Sequence, residues 1–232
     1  MNILALDTST AQASVAIVND EKLLAESIFH ADRCLSARLV PEIERLLAVC
    51  GLTIDDIDLF AAANGPGSFT GIRAGVATVQ GLALATGKPC AGFSTLTMLA
   101  MNFPLASLPV CAMLDARKSE VYAGLYDCSA AAPSAIIADS VLPPDKLFER
   151  LAEKCTSAII FAGEGARRYA GMIIGCLGDR AVFPHLPHHA GHAANGAMLA
   201  RESFRNGSFL SPAELLPVYI RPSEAELARS KA

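Results

Sequence analysis

The sequence predicts an α/β protein built from two tandem lobes, and three observations carry this prediction. Apolar stretches of strand length recur along the chain and are separated by turn residues. Segments in which apolar residues recur at helical spacing follow several of these stretches. An alternating order of strands and helices, opened by a strand meander, starts again in the second half of the chain.

The first half predicts a lobe with the order βββαβαβα. Gly51 is the expected C-terminal stop of its first helix, and Pro41 fits that helix only near the first turn. The predicted elements are strands at 3–6, 13–18 and 22–29, a helix at 35–50, a strand at 57–63, a helix at 68–86, a strand at 90–93 and a helix from 94 to 102.

The second half predicts another α/β lobe after a linker. Residues 103–109 contain two prolines and a serine, which divides the chain into an N-terminal lobe at 1–104 and a C-terminal lobe at 105–232. The last segment of the chain is free to return to the first lobe. Two such layers in tandem fit a duplicated actin-like arrangement better than a single Rossmann sheet. The predicted elements of the second lobe are strands at 110–114, 120–126 and 158–162 and helices at 143–153, 166–177 and 190–204.

Composition excludes several classes of protein. With 52% hydrophobic and 18% charged residues in a chain of 232, the protein is globular rather than disordered. A net charge of −4 lacks the basic footprint of an independent nucleic-acid binder, so RNA would need another subunit to hold it. The apolar N-terminus stops at Asp7, which is too early for a signal peptide or a membrane span, so a cytoplasmic location is expected.

Cysteine and histidine patterns predict no metal site. The seven cysteines form no C-x-x-C pair and are expected to be reduced, mostly small core residues. His30 has no second histidine four residues later, and the one histidine cluster lies in a proline-containing stretch typical of a surface loop. Within it, His188 and His192 would face together if the following helix began early. The cysteines are Cys34, Cys50, Cys90, Cys111, Cys128, Cys155 and Cys176, and the cluster is His185, His188, His189 and His192.

The turn at residues 7–10 holds the candidate cofactor residues. Asp7, Thr8 and Ser9 lie between two predicted strands, where backbone N–H groups and small hydroxyls can hold nucleotide phosphates. The turn has neither a glycine for close approach nor a lysine, so an ordinary polar hairpin is the preferred interpretation. The glycine-rich stretch at 64–71 opens a helix but matches neither a Walker A loop nor a nucleophile elbow, and it predicts a tight structural turn.

A stripe of small residues on the second predicted helix is the candidate packing surface. Each helical glycine costs about 1 kcal/mol relative to alanine, so Gly71, Gly75 and Gly81 need compensation from close approach of another backbone. Docking of a partner and internal packing of helix on sheet both explain the stripe. Its members recur at spacings of three and four: Gly71, Ala74, Thr78, Gly81 and Ala85.

No catalytic residues follow from spacing alone. The charged stretch at 115–120 falls between two predicted strands, where a salt-bridged turn is the ordinary interpretation and a substrate clamp the alternative. A serine, histidine and carboxylate set assembles across a fold rather than along a chain, and none can be nominated here. These residues therefore leave the function open.

Five segments together carry a resemblance to a known family. They are ILALDTS at 3–9, RLVP at 38–41, GPGSFTGIR at 65–73, DAR at 115–117 with EVY at 120–122, and PVYIR at 217–221. Over nearly its whole length the chain resembles the TsaB (YeaZ) family of tRNA threonylcarbamoyladenosine biosynthesis proteins. The long glycine motif followed by Asp-Ala-Arg is the specific part of this match.

The resemblance implies an actin-like ATPase (ASKHA) fold of two tandem RNase H-like lobes. It also implies a non-catalytic subunit required for threonylcarbamoyl transfer to the adenosine beside the anticodon of tRNA. The implied partners are a catalytic TsaD-like subunit, a TsaE-like ATPase and a second copy of the chain. The chain is expected to contact tRNA only indirectly and not to bind a membrane. No cofactor is implied for the chain on its own, while ATP or ADP is implied in the complex.

The resemblance also implies which surface docks. TsaD-like proteins bind metal through H-x-x-x-H, and the missing second histidine after His30 favours an adapter role. The docking face implied by the family is formed by the predicted helices at 35–50 and 68–86. The interface residues expected there are Leu39, Ile43, Leu46, Gly71, Ala74, Gly75, Thr78 and Gly81.

Three other interpretations stay open. The chain can be an ATP-dependent transferase or kinase in its own right, using Asp7 and the glycine-rich turn. It can be a peptidase, since relatives of this fold were once labelled glycoproteases, although no convincing nucleophile or zinc site is present in the sequence. It can also be a homodimeric scaffold unrelated to tRNA.

Overall fold

Two five-stranded mixed sheets organise the chain, seen in a computed structural model that describes residues 1–20, 22–31 and 35–221. In the first sheet the strand order is β3-β2-β1-β4-β5, with antiparallel pairing among the first three strands and parallel pairing beyond them. All five strands of this sheet were predicted. They are β1 (Asn2–Asp7), β2 (Gln12–Asn19), β3 (Lys22–His30), β4 (Leu59–Gly65) and β5 (Cys90–Ser94).

The second sheet repeats the topology of the first, in the order β8-β7-β6-β9-β10. Its strands are β6 (Val110–Asp115), β7 (Val121–Asp127), β8 (Ser134–Leu142), β9 (Ile159–Ala162) and β10 (Ala181–Val182). Antiparallel pairs again lead into parallel ones. This repetition confirms the predicted duplication of an α/β layer.

Two helices cover one face of the first sheet: α1 (Leu35–Cys50) and α2 (Phe69–Thr86). Ser68 caps α2 by accepting a hydrogen bond from the Gly71 N–H, and Gly87 ends it in the left-handed conformation. The prediction that Pro41 fits only near the first turn is wrong, since it is the seventh residue of α1. Both Pro41 and Ala37, whose carbonyl loses its helical partner, are exposed, so water can satisfy that carbonyl.

The opposite face of the first sheet is covered by α7 (Ala193–Arg205), which corrects the assignment of residues 190–204 to the second lobe. Ala193, Ala197 and Ala200 form its buried side, and their small side chains let the helix lie close to β1 and β2. Sequence periodicity identifies such a face but carries no information about which sheet receives it.

The second lobe holds α4 (Pro144–Lys154), α5 (Glu164–Arg168) and α6 (Ala170–Leu177). The single helix predicted at 166–177 is thus two helices, which meet at Tyr169. Two strands of the second sheet were not predicted. β8 is an edge strand with mostly exposed or half-buried residues and little apolar alternation, and β10 has only two residues.

The lobes are connected by α3 (Thr95–Ala100), which contacts both sheets, and by the returning end of the chain. Leu210 exchanges backbone hydrogen bonds with Cys90, and the Val218 N–H donates to the Asn64 carbonyl at 2.7 Å. The last described segment, which ends at Arg221, therefore contacts strands of the first sheet. Residues 222–232 and Cys34 lie outside the described residues. The boundary between residues 104 and 105 stays a prediction.

The length and hydropathy of the helices bear on whether any of them could span a membrane. Within the described parts of the chain, no helix is both long and apolar enough to cross a membrane.

Candidate functional site

A cleft between the two lobes is divided into two cavities of about 570 and 550 Å³. Thr10, Leu114 and Glu164 line both cavities and form the division between them. The first cavity contains Asp7 and the histidine-containing loop before α7, whereas the second contains Ser9 and the start of α2. The cleft therefore joins the 7–10 turn to residues of the second lobe.

Asp7 is buried at the wall of the first cavity. Burial raises the pKa of its carboxyl, and the hydrogen bonds from Ser9 offset this only in part. One of these is the Ser9 N–H, which donates to Oδ1 at 2.9 Å. A Cβ on Gly191 would lie 2.4 Å from Asp7 Oδ2, so the loop before α7 closes tightly over the carboxyl. This is the environment of a packed structural carboxyl.

Thr8 lies beneath α2 rather than in the cleft. Its hydroxyl donates to the Gly71 carbonyl at 2.7 Å and is buried. A Cβ on Gly71 would lie 2.0 Å from the Thr8 carbonyl oxygen, and one on Gly75 would lie 2.3 Å from Thr8 Oγ1. Both glycines are therefore required for α2 to lie against the 7–10 turn.

The three candidate cofactor residues therefore lie in three different environments. Asp7 borders the first cavity, Thr8 packs under α2, and Ser9 lines the second cavity. Consecutive residues of a tight turn point in different directions, and spacing alone does not reveal this.

The histidine cluster is dispersed over separate contacts. The Gly163 N–H donates to His189 Nδ1 at 3.2 Å, while His189 Nε2 lies 3.1 Å from the Pro184 carbonyl oxygen. Burial lowers the pKa of His189, more than these backbone hydrogen bonds raise it. His188 packs against the ring of Phe103 with centroids 5.5 Å apart. His188 and His189 therefore contact different parts of the chain.

The suggestion that His188 and His192 share a helix face is wrong. Residues 186–189 form a 3₁₀ turn, and α7 begins only at Ala193, so the two histidines lie on different elements. Across the described ranges, no three His, Cys, Asp or Glu side chains are grouped to hold a metal ion.

His192 instead belongs to a cap on α7. Its Nδ1 lies 2.9 Å from Glu26 Oε2, while Glu26 Oε1 accepts a hydrogen bond from the Ala194 N–H at 3.0 Å. A carboxylate at a helix N-terminus also interacts favourably with the helix dipole. The hydrogen bond that His192 donates to Glu26 raises the pKa of His192, more than burial lowers it. This pair ties β3 to the start of α7.

We expect His192→Gln to destabilise the protein by about 1 kcal/mol at acidic pH and by less at alkaline pH. The raised pKa means that the stabilisation from the charged pair is complete below the ordinary histidine pKa of 6.5. It is lost as the pH rises through the raised value in the folded protein. Urea unfolding of both proteins across this pH range measures the difference. A gap that widens with rising pH would contradict the pairing.

The charged stretch at 115–120 forms the predicted salt-bridged turn. Arg168 Nη1 lies 2.9 Å from Asp115 Oδ2, and the Arg117 N–H donates to Asp115 Oδ1 at 3.0 Å. Arg221, near the end of the described chain, pairs with Glu120 and donates to the Ala116 carbonyl at 2.7 Å. The returning segment therefore fastens the first lobe to this turn of the second.

Five of the eight predicted interface residues are buried inside the chain's own first lobe. Leu39, Ile43 and Leu46 are only 2–3% exposed and form the side of α1 that packs on the sheet. Gly71 and Gly75 are buried against Thr8, as described above. These five residues are not available to a partner, because an apolar stripe at helical spacing marks the side facing the core.

The solvent-exposed side of α2 is also apolar. Ala74 and Thr78 are half-buried, whereas Gly81 and Leu84 are exposed, Leu84 by 75%. We call the exposed set the outer α2 face, and its members are Ala77, Gly81, Leu84 and Ala85. A single exposed leucine is common on a protein surface, so the significance of this face rests on the apolar residues grouped with Leu84.

Two other segments also expose apolar residues. α1 exposes Val40 and Val49, by 45% and 67%. The returning segment contributes Leu216, which is 62% exposed and shares a shallow groove with Ala77 of the outer α2 face. Sequence reasoning missed Leu84 and Leu216. The signal for Leu84 was a large aliphatic residue on the side of the helix opposite to its buried residues.

Comparison with known proteins identifies the family to which this chain belongs. A family model described as "TsaD: tRNA N6-adenosine threonylcarbamoyltransferase" matches residues 24–200. A solved structure, YeaZ from Pseudomonas aeruginosa, is 31% identical with a TM-score of 0.81, covering 94% of this chain and 99% of that one. The chain belongs to the TsaB (YeaZ) branch of the TsaD family.

TsaB relatives match to different extents. The protein named "tRNA threonylcarbamoyladenosine biosynthesis protein TsaB" in Bacillus subtilis is 29% identical over 97% of this chain and 96% of its own length. Its namesake in Escherichia coli is 39% identical, but over 54% of this chain and 55% of its own. A ROK hexokinase from Thermus thermophilus, 11% identical with a TM-score of 0.51, shares the fold alone. This likeness supports the actin-like architecture of the TsaB branch.

Proposed function

We propose that this chain is a non-catalytic subunit required for threonylcarbamoyl transfer to the adenosine beside the anticodon of tRNA. In this role it binds a TsaD-like catalytic subunit and stabilises its active conformation. The single observation that carries the docking role is the apolar outer α2 face, exposed on a chain whose sequence is related to TsaB along its whole length.

The outer α2 face has the chemistry of a helix-packing surface. Alanine and glycine let a second helix approach closely, and Leu84 supplies the large side chain that such a contact buries. The exposed aliphatic residues of α1 add to the same kind of surface. A partner related to this chain, with a corresponding pair of helices, can pack against it, and so can a second copy.

The non-catalytic assignment is supported by the cleft. The candidate residues Asp7, Thr8 and Ser9 do not converge on one point, and Thr8 is fully used in packing under α2. A net charge of −4 favours indirect contact with tRNA through the partner. We further propose a TsaE-like ATPase as another component, ATP or ADP in the assembled complex, and a cytoplasmic location.

Reconstitution tests the proposed function. Threonylcarbamoyl transfer to tRNA is measured with a TsaD-like subunit, a TsaE-like ATPase and substrates, with this chain present or omitted. We expect activity to fall at least about tenfold on omission, because the catalytic subunit loses its stabilising contact. The chain alone is expected to transfer nothing.

Two outcomes would contradict the proposal. Activity that is indifferent to the chain would remove the adapter role. Transfer or ATP turnover by the isolated chain would favour the alternative of an enzyme in its own right.

A further inference from the structure

We propose that Arg73 is the charged end of the docking surface and binds a carboxylate of the partner protein. The group inferred is an acidic side chain on a docking helix of the TsaD-like subunit. Arg73 lies one turn before Ala77 on the same side of α2, so it extends the outer α2 face toward the start of the helix. This inference rests on the proposed function and adds the kind of group that the partner must carry.

Two aromatic rings fix the position of the Arg73 side chain. Its guanidinium carbon lies 3.9 Å from the centroid of the Phe69 ring and 5.8 Å from that of the Tyr219 ring. Its Nε donates a hydrogen bond to the Tyr219 hydroxyl at 2.8 Å. The two rings stack on each other with their centroids 5.2 Å apart. A cation held in this way loses little conformational entropy on binding, because its side chain is already ordered.

The returning segment of the chain keeps Tyr219 beside α2. The side-chain amide of Gln80 donates to the carbonyls of Pro212 and Leu215, at 2.9 and 3.0 Å. The N–H of Val218, the residue before Tyr219, donates to a carbonyl of β4 at 2.7 Å. These contacts all lie within the chain, so the arrangement around Arg73 exists before any partner binds.

The charge of Arg73 has no counter-ion within the described part of the chain. No described carboxylate forms an ion pair with its guanidinium, and among these residues its Nη1 and Nη2 have no hydrogen-bond partner. Carboxylates are nevertheless in excess, with 23 acidic against 19 basic residues in the sequence. Arg73 is exposed and is the one charged residue among the 18 of α2. Its two terminal nitrogens are those that bind a carboxylate in bidentate geometry.

A groove beside Arg73 gives the partner helix a place to lie. It separates α2 from the returning segment, has a volume of about 470 Å³, and includes Ala77, Leu216 and Pro217 in its walls. Among the described residues that line it, Arg73 is the one that carries a charge. An apolar groove with a single cation at its end complements a helix that has apolar side chains and one acidic residue.

Protein, rather than RNA, is the partner that this groove fits. RNA binding depends on several cations that neutralise phosphates, whereas the described lining of the groove contains one. Its apolar walls match a protein interface, where arginine and tyrosine are common. A second copy of the chain is a poorer fit, because its α2 carries no carboxylate.

Titration of the TsaD-like subunit with the full chain, at several salt concentrations, tests the inference. Arg73→Gln removes the charge but keeps N–H donors. Tyr219→Phe removes the hydroxyl that accepts the bond from Arg73 and leaves the charge in place. The matched control is Arg150→Gln, which removes the same charge from an exposed position on α4 outside the groove. Thermal unfolding of each isolated variant checks that it folds.

We expect Arg73→Gln to weaken binding about tenfold at low salt and to flatten the salt dependence of the affinity, because salt screens an ion pair at the edge of an interface. Tyr219→Phe should weaken binding about threefold, since Arg73 is less well fixed, and keep the salt dependence. Arg150→Gln should leave the affinity unchanged. If Arg73 only held the returning segment in place, Arg73→Gln and Tyr219→Phe would have equal effects and neither would alter the salt dependence.

A charge exchange identifies the group on the partner. Arg73→Glu is expected to weaken binding about a hundredfold, because it sets two carboxylates against each other. Lysine in place of one acidic residue on the partner's docking helices should then restore the affinity to within about tenfold of the original.

Three results would overturn the inference. One is a salt dependence that Arg73→Gln leaves unchanged, and another is the failure of every lysine on the partner to restore binding of Arg73→Glu. The third is an Arg73→Gln variant that loses self-association or tRNA binding but keeps its affinity for the TsaD-like subunit. Each of these leaves the proposed docking in place, whereas the absence of any complex with the original protein removes both proposals.

Discussion

Gly71→Ala is expected to lower the free energy of unfolding by about 3 kcal/mol. The added Cβ would lie 2.0 Å from the Thr8 carbonyl oxygen, a backbone atom that cannot rotate away. Relief requires α2 to move off the 7–10 turn, which breaks the hydrogen bond from the Thr8 hydroxyl to the Gly71 carbonyl. Chemical denaturation of the isolated chain measures this loss.

Gly81→Ala on the same helix is the matched control and has the opposite expected sign. Position 81 is exposed, and no heavy atom lies within 4 Å of where its Cβ would be. Alanine is better than glycine in a helix by about 1 kcal/mol, so this change should raise stability by up to that amount. Equal destabilisation at the two positions would mean that α2 is not packed on the turn as described.

This contrast shows what the glycine stripe could and could not reveal. The sequence indicated that another part of the structure packs closely against α2, because glycines inside a helix otherwise lower its stability. It did not identify the approaching group, which at Gly71 and Gly75 is the chain's own Thr8. Only toward the C-terminal half of the helix, at Gly81, does the stripe reach solvent and stay open to a partner.

Elements with strong local signals were predicted well. The bounds of α1 agree with the prediction at both ends, and α2 differs by one residue, since capping and glycine stops are local signals. β8 was missed because an edge strand with exposed residues needs no apolar alternation. The position of α7 was mistaken because tertiary contacts, not local pattern, decide which sheet a helix covers.

The cleft was predicted only in outline. Resemblance to TsaB singled out its main segments, among them 3–9, 65–73, 115–122 and 217–221, and the structure brings all four together around the two cavities. What the sequence lacked was side-chain direction within the 7–10 turn. That direction places Asp7 at the wall of the first cavity and Ser9 at the wall of the second.

Leu84→Glu is expected to weaken binding to a TsaD-like subunit by about a hundredfold while leaving the stability of the isolated chain nearly unchanged. Leu84 is 75% exposed in the free protein, so a glutamate there remains hydrated and costs little. In the proposed complex the same position is buried against an apolar helix, where an unpaired carboxylate costs several kcal/mol. Titration of the catalytic subunit with each form of the chain gives the affinities.

Ile174→Glu provides the matched control, since Ile174 is a 54% exposed aliphatic residue on α6 of the second lobe. Ile174→Glu introduces the same charge at a similarly exposed position, but away from the outer α2 face. The affinity for the TsaD-like subunit should therefore stay within about threefold of the original. If instead Ile174→Glu weakened binding and Leu84→Glu did not, the partner would dock on the second lobe. The exposed aliphatic residues of α2 would then need another explanation, because their position at the surface offers the folded chain little burial energy of its own.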